Sequence, residues 1–148
     1  MNGHRPDRSR RWLLGVAVVA CLPACGRDDP KARLEASVGR LQDALEARDV
    51  SAAMDLLHDR FRAQGDQDAR WARQTMMVMF QRYARVNVVS LGQRIEVDPA
   101  PSLTGTIEAQ VMVTGAHDLI PERATPYTVR MQWRREGRDW KLYDLRWE

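Results

Sequence analysis

Two hydrophobic periods divide the chain near residue 85. Before it, apolar residues recur at helical intervals. Leu34, Val38, Leu41 and Leu45 step by four, three and four, one stripe of a helix over 30–48. Glu35, Arg40, Asp43 and Glu46 fall on its other faces, a solvated surface. Asp49-Val50-Ser51 breaks the pattern and offers a new N-cap. A short second helix is expected to follow, with Met54, Leu57 and Phe61 on one side, and residues 64–68 read as a loop. A third helix is predicted over 68–83, with Ala72, Met76, Met79 and Tyr83 sharing a face that Trp71, Val78 and Phe80 widen. It is the most apolar of the three, so it is expected to be the most buried.

Beyond Arg85 the period falls to 2. Val89, Leu91, Ile95 and Val97 alternate, with Gly92 a candidate bulge. Residues 98–102 form a turn. Ile107, Ala109, Val111 and Val113 alternate with Thr106, Glu108, Gln110 and Met112, and a longer loop, 115–125, follows. Tyr127, Val129, Met131 and Trp133 alternate next, and residues 135–139 make a tight turn. The last strand, 140–148, carries aromatics of both parities, Trp140 on one face and Tyr143 and Trp147 on the other. A strand apolar on both faces is expected to be central or to meet a partner. The implied fold class is α+β: three N-terminal helices packed on one face of a curved four-stranded antiparallel sheet.

The N-terminus has a different character. Arg5, Arg8, Arg10 and Arg11 precede an uncharged stretch, 12–22. A basic head and a short apolar middle describe a secretory signal. Eleven helical residues reach roughly 16 Å, about half of a bilayer core, so this is not a transmembrane helix. Leu22-Pro23-Ala24-Cys25-Gly26 resembles the lipobox of bacterial lipoproteins, with an aliphatic residue three before the cysteine and a small one just before it. An ordinary signal peptide cut near Ala24 is the alternative. The resemblance implies cleavage between Ala24 and Cys25, acylation of Cys25 and a membrane partner reached through the lipid anchor. It divides the chain into a signal peptide (1–24), a lipidated cysteine and tether (25–30) and one domain (31–148). The implied location is the bacterial cell envelope, with the outer membrane facing the periplasm as the default, because Gly26 is not the Asp of an inner-membrane retention signal.

Export reshapes the composition. The whole chain has a formal charge of +3, but four of its 23 basic and one of its 20 acidic side chains lie in 1–24, leaving 19 of each. A neutral mature chain argues against nucleic acid as a partner. Cys21 leaves with the signal and Cys25 is consumed, so no thiol remains for a disulfide, a metal or a nucleophile.

The domain resembles the nuclear transport factor 2-like superfamily, the cystatin-like cone shared with ketosteroid isomerases. The residues that carry this are Leu41-Gln42-Asp43-Ala44-Leu45-Glu46-Ala47-Arg48-Asp49 with Val50-Ser51-Ala52-Ala53-Met54, and the closing Trp133-Arg134-Arg135-Glu136-Gly137-Arg138-Asp139-Trp140-Lys141-Leu142. The resemblance implies a pocket between helices and concave sheet, with Trp71, Met76, Met79, Tyr83, Trp133, Tyr143 and Trp147 as candidate lining; ordinary core packing is the plainer account of each. It also implies, for catalytic members, a Tyr on the first helix and a carboxylate base just after the second. Leu34, Val38, Leu41 and Leu45 supply no hydroxyl, and Asp59, Asp66 and Asp68 lie in a polar stretch. His58-Asp59 and His117-Asp118 are sequence neighbours, which point apart, so both histidines read as surface groups. Asp144 is a candidate pocket carboxylate, with pairing to Arg130 or Arg146 as the plainer reading. No catalytic residue, metal site or cofactor is therefore expected. The reading is a non-catalytic envelope lipoprotein binding a small apolar ligand or a protein partner. The alternatives are an isomerase-, dehydratase- or hydrolase-type enzyme of the same fold, or an interaction subunit forming a homodimer through the sheet, supported if Trp140 and Leu142 are exposed there.

Overall fold

The computed structural model describes residues 29–116 and 125–148. The signal peptide, Cys25, most of the tether and the pair His117-Asp118 lie outside the described residues. Each helix begins on an aspartate. Asp29 accepts from the Lys31 amide at 3.0 Å and starts α1 (Pro30–Glu46). Asp49 accepts from Ala52 N at 2.9 Å and starts α2 (Val50–Asp55). Asp68 accepts from Trp71 N at 2.9 Å and starts α3 (Ala69–Arg82). Each carboxylate satisfies an amide that has no partner within its helix and complements the positive end of the dipole.

The strands are β1 (Leu57–Ala63), β2 (Arg85–Val97), β3 (Thr104–Ala116), β4 (Thr125–Glu136) and β5 (Asp139–Trp147). They form one sheet in the order β1-β5-β4-β3-β2, with β1 parallel to β5 and the other pairs antiparallel. The α+β cone is as expected, but the element list needs correction. The sheet has five strands, not four, and β1 interrupts the helices. Leu57 and Phe61, assigned to the second helix, belong to β1, and α2 is a helix of six residues. The error has a physical source: an i, i+4 pair lies on one face of a helix and also on one face of a strand.

Two bulges adjust the sheet. On β2, Ser90 pairs with Val111 and Gly92 with Gln110, so Leu91 is the extra residue. On β5, Leu142 pairs with Trp133 and Asp144 with Gln132, so Tyr143 is extra. Side chains alternate in a strand, so one added residue reverses which parity faces inward. Trp140 and Leu142 point inward before the bulge, and Leu145 and Trp147 after it. The mixed parity of the last strand is therefore one apolar face interrupted by a bulge. Trp140 and Leu142 are 1% and 2% exposed. They are core residues, so the exposure that would have supported a homodimer through the sheet is not found at these two positions.

The core joins Leu34, Phe61, Ala63, Ile107, Ala109, Met131, Trp133, Trp140 and Leu142. Full burial of a Leu, Ile, Phe or Met side chain contributes roughly 1.5–3 kcal/mol. On α1 the fully buried positions are Leu34, Ser37 and Ala44. Ser37 is thus a buried hydroxyl that the apolar stripe did not reveal, accepting from Arg40 at 2.9 Å. The third helix reverses expectation: α3 has no buried residue, and Met77, Val78 and Met79 are 48%, 61% and 44% exposed. It packs mainly on β1 and α2. No helix among the described residues is long and apolar enough to cross a membrane.

Candidate functional site

The concave face of the sheet does not close onto α1. Between them lies a cavity of about 370 Å³. From α1 come Val38, Leu41, Gln42 and Leu45, and from β2 Val88, Ser90 and Gln93. Ala109, Val111 and Val113 of β3, Tyr127, Val129 and Met131 of β4, and Leu145 and Trp147 of β5 complete the wall. The two bulges build this surface. Without the extra residue in β2, Gln93 would not share a face with Ser90; without that in β5, Leu145 and Trp147 would face outward. The volume lies within the range of small-molecule sites. The lining holds no carboxylate, histidine, lysine or arginine. Its polar groups are the Gln42 and Gln93 amides and the Ser90 and Tyr127 hydroxyls.

The rim is apolar too. Val113 and Tyr127 are 45% and 39% exposed at the lining itself. Gln42 and Glu46 fasten α1 to the free edge of β2: Gln42 Nε2 donates to the Val88 carbonyl at 2.9 Å, and the Val88 amide donates to Glu46 Oε1 at 3.0 Å.

Solved structures share this arrangement. A cystatin-like-fold protein of unknown function from Nostoc punctiforme superposes with a TM-score of 0.64 at 21% identity, over 80% of this chain and 89% of that one. A nuclear transport factor 2-like protein of unknown function from Pseudomonas putida KT2440 does so with a TM-score of 0.66 at 10% identity, over 80% and 84%. The fold is nuclear transport factor 2-like. Bd1075 of Bdellovibrio bacteriovorus also matches, with a TM-score of 0.66 at 13% identity over 78% of this chain, which spans only 40% of that protein's length. At these identities the likeness is one of fold. No family model and no curated protein matches the sequence.

Within the nuclear transport factor 2-like cone, the seven candidate lining residues separate. Trp147 lines the cavity. Trp71 stands behind it, its ring stacked on that of Trp147 at 6.1 Å and 13°. Met76 and Met79 lie on α3, half-buried and exposed, and Tyr83 is the C-cap of that helix; none of the three lines the cavity. Trp133 is completely buried in the core, and its indole N–H finds no acceptor among the described residues, an arrangement that costs about 1–3 kcal/mol and that nothing in the structure explains. Tyr143, the bulge residue, lies outside the lining. Its ring meets His58 edge-on at 5.2 Å and carries the Arg134 guanidinium 3.6 Å from its centroid. The lining residues absent from the candidates lie on α1 and β2 and equally on β3, β4 and β5. Val38, Leu41 and Leu45 were visible as a stripe, but a stripe does not say whether it meets core or cavity.

The histidine and Asp144 also find their places. His58 is not a surface group: its side chain is 15% exposed, its Nε2 lies 3.2 Å from Glu136 Oε1, and its Nδ1 accepts from the Arg60 amide at 2.9 Å. Its partner is Glu136, not Asp59. Asp144 pairs with Arg146 at 2.9 Å on the convex side of the sheet, so the plainer reading holds. The same side carries Arg94, Glu96, Glu108 and Arg130 around a polar groove. There Glu108 and Arg130 are cross-strand partners; the hydrogen bond and charge of Arg130 hold the Glu108 carboxyl below its ordinary range and raise Arg130 in turn. The Asp68 carboxyl is also held low, first by the Trp71 amide it caps. The carboxylates, histidine and basic side chains of the described residues thus collect outside the cavity, and Tyr127 is the one titratable group in its lining. Among the described residues no cluster of His, Cys, Asp and Glu could hold a metal ion.

Proposed function

We propose that this chain is a membrane-anchored envelope lipoprotein whose cone binds a small apolar ligand without transforming it. One observation carries the reading: a cavity of about 370 Å³ lined by apolar side chains and a few neutral polar ones, with every carboxylate and histidine among the described residues outside the lining. A general base working near neutral pH needs a group such as a carboxylate or histidine within hydrogen-bond reach of the reacting atom, and the one titratable group of this lining is the Tyr127 phenol at the rim. Apolar burial alone favours a ligand by about 25 cal/mol per Å² removed from water. Anchoring at Cys25 would hold the cone beside a membrane, where apolar molecules concentrate.

Titration with Nile red, an uncharged apolar dye, tests this. Saturable binding is expected, quenching Trp147 as the site fills. Ala109→Trp, which places an indole in the cavity, should reduce that binding at least tenfold while circular dichroism stays unchanged. Dye uptake that does not saturate, or that ignores the filled cavity in a folded variant, would defeat the proposal.

A further inference from the structure

The cavity is polar along one wall only. Gln42, Ser90 and Gln93 all lie where α1 crosses β2, whereas the wall from β3 to β5 is apolar except for Tyr127 at the rim. Ser90 and Gln93 are exposed and Gln42 half-buried, while Ala109 and Met131 opposite are buried. A molecule filling this space would place its apolar end against β3–β5 and its polar end against the wall of α1 and β2.

The network around Gln42 settles what that polar end must be. Its Nε2 has two hydrogens, and both are used: one reaches the Val88 carbonyl at 2.9 Å and the other Glu46 Oε1 at 3.2 Å. Both partners are acceptors, so the amide cannot be reversed without facing oxygen to oxygen at both. Oε1 is what remains, and no donor among the described residues reaches it. It is an acceptor only, so a ligand that replaces water there must donate. Ser90 and Gln93 can each donate or accept, and neither has a partner among the described residues, so they fit the same group. Charge is decided separately. No cation lies in the lining to pair with an anion, and the Glu46 carboxylate behind Gln42 repels one.

We infer that the ligand is an uncharged amphiphile whose polar end donates a hydrogen bond, a hydroxyl or amide N–H, to Gln42. This rests on the proposed binding function and narrows it. The test uses the full chain, with Cys25→Ser to leave it free of acyl chains, and three probes of similar length: 1-decanol, methyl nonanoate and decanoate. The first donates and is neutral, the second only accepts and the third is an anion. Calorimetric titration should show 1-decanol binding at least five- to tenfold tighter than either competitor. Gln42→Leu should erase the preference over the ester, weakening 1-decanol binding more than ester binding. Should that variant not fold, Ser90→Ala with Gln93→Leu should reduce the preference for the alcohol. Equal affinity for all three probes would overturn this inference and leave the cavity as an unselective apolar site. Binding of none would overturn the inference and the proposed function together.

Discussion

Gly105 shows how closely a single position is fitted. It pairs with Trp133 across the sheet, and a Cβ added to it would stand 2.5 Å from Leu34 Cδ2 and 3.3 Å from Trp140 Cζ3. Both neighbours are fully buried, so neither has room to withdraw. Gly105→Ala should therefore lower unfolding stability by about 1–3 kcal/mol in urea titration. Gly39, on α1, has nothing within 4 Å of its Cβ position, and Gly39→Ala should instead raise stability by up to about 1 kcal/mol. If both substitutions proved neutral, the close packing of α1 on the sheet would be wrong. At this scale the sequence is uneven. Asp49 announces itself as a cap because a short acceptor precedes a helical run. Gly105 looks like any strand glycine, since what it touches is 71 positions away in Leu34 and 35 away in Trp140.

Elements differ in how firmly they are held. α3 is apolar in composition yet has no buried residue. Its apolar positions favour one face, but an amphipathic pattern does not say how deeply that face is covered. Few buried contacts mean a low free energy of local opening. Native-state hydrogen exchange should release the α3 amides well before those of β3 and β4, with protection factors lower by at least tenfold. Equal protection would show that α3 unfolds only with the whole. β1 was hidden for a different reason: seven residues with Leu57 and Phe61 four apart satisfy two periods at once, and only Ala63, two beyond Phe61, favours the strand. The long strands β3 and β4 were plain because their alternation is sustained.

Across the molecule, polarity is sorted by surface. The concave side is apolar and encloses the cavity, and the convex side carries the ion pairs Glu108–Arg130 and Asp144–Arg146. Alternation along β3 and β4 made that division legible before the fold was known. The cavity itself was not legible, because a packed core and a lined cavity require the same alternation and differ only in how far α1 stands from the sheet. That is why Trp133 and Trp147, equivalent in pattern, end in core and cavity. The proposed location rests on another part of the chain. If Cys25 is acylated, Cys25→Ala should move the protein from the membrane fraction to the soluble fraction when bacterial cells are fractionated. Unchanged partitioning, with no lipid mass on the purified chain, would remove the anchor from the proposal.

The bulge at Tyr143 makes β5 a strand that counts its residues. Substitutions along it change one contact each, but a one-residue deletion there would shift the frame of everything that follows. Leu145 and Trp147 would turn toward solvent, and the stack of Trp147 on Trp71 would go with them. In a lineage of such chains, length between Leu142 and Leu145 should be conserved more strictly than the identity of the residue that fills it.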